Sequence, residues 1–296
     1  MKTSTNKTLL FAALISLGFA CTSVNNSEIS EAISEQDLEA ASQIIGETVS
    51  SENSGAMSSI YDALSTVGAS GISYNDTQAK AVEDDNSGRG RENNFSYSYD
   101  AATGTHTIDF NRSISRGEFS KSVNAHLEYI FTDLQDDFIE FPRVDRDSIE
   151  AVDYKGTKSG SLDGPFRDSE FTRIDTLVVT GIHSSSPVFG IDGTHAGSGN
   201  RSGMLDDGTE VSRSYSVNID FQNIAIDKAT VQENGNLEEG VTGTLTYNMT
   251  FVNTEGEERV LEGEIVLEGD GTALLRFRRF TKVFRFSLRD GSTENS

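Results

Sequence analysis

The chain of 296 residues has a single cysteine, three prolines and no tryptophan, and its 24 basic residues face 47 acidic ones. One cysteine rules out an intrachain disulfide, so the fold must rest on its core alone. The formal net charge of −23 excludes the nucleic-acid binders, which neutralise phosphates with Lys and Arg. The same field repels anionic headgroups and favours a soluble monomer. No GxSxG elbow, phosphate-binding glycine loop or zinc-finger spacing occurs, so neither a cofactor nor a catalytic residue is assigned. Long apolar runs are missing too. The longest, residues 9–19, is too short for a stable membrane span.

That run instead has the form of an export signal: Lys2 and Lys7 precede it, and small residues follow it. Leu17-Gly18-Phe19-Ala20-Cys21 resembles the lipobox of bacterial lipoproteins, with Gly18 where a Leu is usual and a bulky Phe19. The resemblance covers about 20 residues at the start of the chain. It implies lipid on the Cys21 sulfur and cleavage before it, leaving a mature protein tethered to the bilayer. Several acyl chains make such an anchor stable, where one gives only reversible attachment. Thr22 in place of Asp implies an outer-membrane destination, periplasmic or surface-facing. Gly18-Phe19-Ala20 also suits ordinary signal peptidase, which would cut the same bond and release an unlipidated Cys21. The placement of the only cysteine at the cleavage point favours lipidation.

Residues 21–92 read as a lipid-anchored N-terminus, weakly helical and then a flexible linker. Ile29, Ile33, Leu38, Ala41, Ile45 and Val49 recur at helical spacing, with Asn26 or Ser27 as cap. Met57, Ile60, Tyr61 and Leu64 mark a second short helix over 56–67, and residues 68–94 are rich in Gly, Ser, Asp and Asn.

From Phe95 the period becomes two. Phe95, Tyr97 and Tyr99 alternate with polar residues. After a turn at 101–104, Ile108 and Phe110 take up the opposite phase, which pairs Phe95 with Phe110 and Tyr97 with Ile108. Tyr215, Val217, Ile219 and Phe221 form another strand, as do Leu245, Tyr247, Met249 and Phe251. Leu261, Ile265 and Leu267 follow a loop centred on Gly256, and the next turn sets Leu275 opposite Ile265. Weaker strands are expected over 127–133, 138–141, 149–154, 173–182 and 188–194. Residues 93–290 therefore predict one all-β domain, an antiparallel meander of curved, barrel-like or sandwich form, ahead of a polar tail at 291–296.

Local clusters weigh differently. Arg276, Arg278, Arg279, Lys282, Arg285 and Arg289 place six bases within fourteen positions. They could bind an anion, but the register sets Arg276 against Glu264 and Arg278 against Glu262, ordinary cross-strand pairs. The apolar phase slips near Arg279, which predicts a bulge or tight bend. His106 falls opposite Tyr99, as a rim residue. His183 and His195 with Asp192 lack metal-ligand spacing. Asp133, Asp136 and Asp137 cluster, and Asp206, Asp207 and Asp270 sit beside turn glycines.

Two functions fit. One is a non-enzymatic binding or interaction domain for an apolar ligand, a glycan or a protein; the other is an envelope-glycan hydrolase with paired carboxylates. The absence of a catalytic motif favours the first. For the anchor, metabolic labelling with palmitate is expected to mark the wild-type chain and to be lost in Cys21→Ser.

Overall fold

The computed structural model describes residues 33–69, 71–73, 92–164, 167–183, 185–204, 210–253 and 255–295. Cys21, the expected signal segment, most of the expected linker and the turn expected at Asp206–Asp207 lie outside the described residues.

Twelve strands follow one another in a single sheet, each antiparallel to the one before it. They are β3 (Glu92–Asp100), β4 (Thr105–Arg116), β5 (Phe119–Thr132), β6 (Ala151–Asp163), β7 (Arg167–Thr180), β8 (Val188–Met204), β9 (Glu210–Asp227), β10 (Val241–Val252), β11 (Glu258–Glu268), β12 (Thr272–Phe277), β13 (Val283–Ser287) and β14 (Thr293–Asn295). A separate hairpin, β1 (Thr66–Gly68) and β2 (Gly71–Ser73), precedes them. The meander expected from the alternation is therefore present as one open sheet, with β3 and β14 as its two edges.

Most registers are those the pattern dictates. Phe95 pairs with Phe110, Tyr97 with Ile108 and Leu275 with Ile265. The β10–β11 pairing sets Met249 against Leu261, which centres the loop on Glu255 rather than Gly256. Gly256 takes the left-handed turn position beside it, at φ 81°. Residues 138–141 form no strand. Only an isolated bridge joins Phe138 to Thr132 within a long ordered connection. Near Arg279 the chain makes a tight turn, with the Phe280 amide donating to the Phe277 carbonyl at 3.1 Å. The polar tail is not loose, because β14 pairs with β13 through Thr293 and Phe286.

A bend runs across three strands. Pairing shifts between Ile191 and Gly193 on β8 and between Thr242 and Leu245 on β10. Asn223 on the strand between them has φ 54°, and its amide donates to the Asp192 carboxylate at 2.8 Å. Aligned irregularities of this kind re-aim whole strands and curl the sheet.

One face of a meander this large must be covered, and two helices cover it. α1 (Glu35–Val49) starts at a capping box in which Ser34 and Asp37 bond each other's backbone amides. α2 (Ala56–Ala63) follows a short loop. The pattern alone suggests a spacer here, but Leu38, Ala41, Ile44, Ile45, Val49, Met57 and Ile60 are all buried. α1 lies against β9, β13 and β14, and α2 against β6 and β7. Both helices belong to one compact unit with the sheet. Gly46 of α1 approaches Gly291 so closely that a Cβ on Gly46 would stand 2.5 Å from the Gly291 carbonyl oxygen.

The seat of α2 is polar as well as apolar. Lys158 and Arg173 occupy inward positions of β6 and β7, each 2% exposed. Lys158 Nζ meets Asp62 of α2 at 2.5 Å and the Ser59 hydroxyl at 3.0 Å. Ser59 donates to Asp175 at 2.6 Å, and His195 Nδ1 lies 2.6 Å from the other Asp175 oxygen. Burial pushes Asp175 up, but His195, Lys158 and Ser59 outweigh it and hold the carboxyl below its ordinary value. At the other end, buried Glu238 accepts from Ser51 and from Tyr61, both at 2.5 Å. A short helix, α3 (Lys228–Asn234), leads into that segment.

Removing one member of a buried ion pair strands the other charge. Asp62→Ala is expected to cost about 3–5 kcal/mol in urea unfolding, while Asp62→Leu with Lys158→Met costs far less. Equal losses in the two variants would show that Lys158 is not held by Asp62.

Candidate functional site

Because α1 and α2 cover the inner face along β6, β7, β9, β13 and β14, most groups available to a ligand lie on the outer face and in the connections. Side chains alternate across the sheet, so each inward residue leaves its neighbours outward. Reading the register from β10 to β3, Thr250, Ser216, Ser198, Thr172, Ser159, Asn124, Asn111 and Asn94 stand side by side. That row crosses eight strands without one charge, in a chain where 24% of residues are charged. The adjacent row reads Asn248, Asn218, Ala196, Ile174, Thr157, His126, Asp109 and Ser96.

Towards β3 the two rows border a groove of about 510 Å³. Phe95, Phe110 and Ala125 line it together with Asn94, Ser96, Asp109, Asn111, Asn124, His126, Thr157 and Ser159. A smaller hollow of about 240 Å³ continues past His126 to Glu128, Lys155, Ile174 and Thr176. Within the groove, the Asn111 amide donates to the Asn124 carbonyl at 2.5 Å. Each amide thus keeps hydrogen-bonding capacity for a ligand. Ser96 donates to Asp109 at 3.2 Å, and His126 Nδ1 stands 2.7 Å from the other Asp109 oxygen. Glu128 lies 3.6 Å from His126 Nε2. The hydrogen bond that His126 donates to Asp109 is the main reason His126 titrates above its ordinary value, against a smaller opposing effect of burial. Ile174, 52% exposed, adds an apolar surface among the polar groups.

The sites singled out by sequence fare unevenly. Acids meet four of the six bases of the C-terminal run, which breaks up any continuous anion stripe. Arg278 pairs with Glu262 at 3.0 Å, Arg285 with Glu268 at 2.7 Å, Lys282 with Glu35 at 2.5 Å and Arg289 with Glu52 at 2.8 Å. Lys282 and Arg289 tie the helical segment to the sheet, which local register could not reveal. His106 is no rim residue but fully buried. Its Nε2 lies 2.9 Å from the Ile139 carbonyl and so donates, leaving Nδ1 to accept from Tyr97 at 3.0 Å.

His183 and His195 do not converge. His195 is buried against Asp175, whereas His183 bonds Ser185 at 2.8 Å, and Asp192 caps the Asn223 amide. Among the described residues no group of His, Cys, Asp and Glu could hold a metal ion. Asp133 and Asp270 are turn formers. Asp133 accepts from the amides of Gln135 and Asp137, and Asp270 from that of Thr272.

No described helix is long and apolar enough to cross a membrane. No family model matches the chain, and neither the curated proteins nor the solved structures give a match.

His126 carries a pH test. A histidine whose folded value is raised adds stability that is complete below its ordinary value of 6.5 and is lost as pH rises through the folded value. NMR titration is expected to place His126 above 6.5, and Asp109→Asn to bring it back down. An unchanged midpoint in that variant would show that Asp109 does not set it.

Proposed function

We propose that this protein is an exported, lipid-anchored binding protein without enzymatic activity, whose outer sheet face holds a neutral glycan. Cys21 carries the anchor, the outer membrane is the destination, and the domain works as a monomer that takes no nucleic acid. The observation that carries the glycan reading is the uncharged row from Thr250 to Asn94, with the groove at its β3 end. Hydroxyl and amide groups at strand spacing offer a repeating set of donors and acceptors. That suits a polyhydroxylated chain better than an apolar molecule. Ile174 supplies an apolar patch for the C–H face of a sugar ring.

A glycan hydrolase using paired carboxylates is the second reading, and Asp109 and Glu128 are its best pair. His126 stands between them, with a raised affinity for its proton. The three form an ion-pair cluster, and the general acid that glycoside hydrolysis needs is not apparent.

The test is retention on immobilised neutral polysaccharides and on isolated cell-wall glycan. Asn124→Ala with Thr172→Ala is expected to weaken retention by about thirtyfold, since each lost hydrogen bond contributes about 1 kcal/mol. Retention unaffected by the pair would overturn the assignment to this face. Reducing ends released from the same glycan, and abolished in Asp109→Asn, would replace binding by hydrolysis.

A further inference from the structure

The connection from β5 to β6 spans residues 133–150 and contains only a single 3₁₀ turn at Arg146–Ser148. A link of this length without regular structure is unusual inside a compact domain and commonly serves binding. It is firmly built. Ile139, Pro142 and Ile149 are buried. The Ile139 amide donates to Phe131 at 2.9 Å, its carbonyl accepts from His106, and the Glu150 amide reaches Thr132 at 2.8 Å.

This fixed frame turns apolar side chains outward. Leu134 is 59% exposed, Phe138 51%, Phe141 58% and Val144 82%. Phe141 and Val144 occupy one turn, in which the amides of Val144 and Asp145 both donate to the Phe141 carbonyl at 2.9 Å. Phe138 rests one side of its ring on Gly104 of the β3–β4 turn. Four large apolar side chains exposed on one hydrogen-bonded loop, two of them in a single turn, exceed the scattered single residues that surfaces normally carry.

Charge selects the occupant. Asp136, Asp137, Glu140, Asp145 and Asp147 are exposed around the apolar groups, and Arg146 is the one exposed base of the connection. An anionic membrane surface would be repelled by that ring, whereas a cationic segment would be drawn to it. We infer that the β5–β6 connection docks a basic, amphipathic segment of a partner protein, with Phe141 and Val144 as its apolar anchors. Aromatic and aliphatic groups at the centre with charge at the rim are how such contacts divide affinity from steering. The surface shares no residue with the groove, so it stands or falls apart from the glycan reading.

The experiment titrates the full-length protein with a synthetic Lys/Leu peptide of helical amphipathic spacing, followed by fluorescence anisotropy. Phe141→Ser with Val144→Ser leaves the charge unaltered and is expected to weaken binding about tenfold. Asp220→Asn with Glu262→Gln, a change of charge on the outer face, should alter it less than about twofold. Thermal unfolding of the serine pair should match wild type, since both side chains are largely exposed. Equal affinity in the serine pair, equal binding of a Lys/Ser peptide, or capture of the loop by neutral phosphatidylcholine vesicles would each overturn the inference.

Discussion

The fold depends on the contact between the helix pair and the inner face of the sheet. Twelve strands in sequence leave one broad apolar surface, and a sheet that neither closes nor finds a second sheet must cover that surface in another way. α1 and α2 supply the cover. Apolar burial gives the contact its strength, but burial is non-directional. The polar contacts give it position: Asp62 and Ser59 of α2 fit only where Lys158 and Asp175 present themselves. Gly197 belongs to the same fit, since any Cβ there would meet Arg173 Nη1 and Thr48 Cγ2, each at 2.8 Å.

Much of the sheet was legible in the sequence because period-two alternation and turn residues are local signals. Phe95 against Phe110 follows from counting through a turn, and so does Arg276 against Glu264. The helical stripe over Leu38, Ala41, Ile45 and Val49 was equally visible, but its partner was not. An amphipathic stripe states that a face will be buried and leaves open against what. Lys158 and Arg173 offered an overlooked signal. They stand, with Asp175, in the inward phase of strands otherwise lined by Val152, Tyr154, Phe171, Leu177 and Val179, and charges there call for buried counterparts.

The outer-face site was illegible for a different reason. Asn94, Asn111, Asn124 and Ser159 lie on four strands, and none has a local context that differs from ordinary solvent-facing alternation. Only the lateral order of strands brings them into a row. The loop at 133–150 was half legible: its acids stood out, while Phe138 and Phe141 read as a strand because aromatic residues favour one. Buried Ile139 and Pro142 hold the segment in a non-repeating path instead. Groove and loop share no residue, so the polymer proposed for one and the protein segment proposed for the other would not compete.

The close approach of Gly46 to Gly291 also has a kinetic meaning. Hairpins between consecutive strands close short loops and can form as the chain is made. The seat of α1 is different, for it includes β13 and β14, the last strands of the chain. Bringing the two ends together closes a loop that contains almost the whole domain, at an entropic cost that grows only slowly with length but must be met before the contact gives anything back. The first helix therefore waits for the last strand. Until then the meander carries an uncovered apolar face, and the stage most exposed to aggregation comes late in folding.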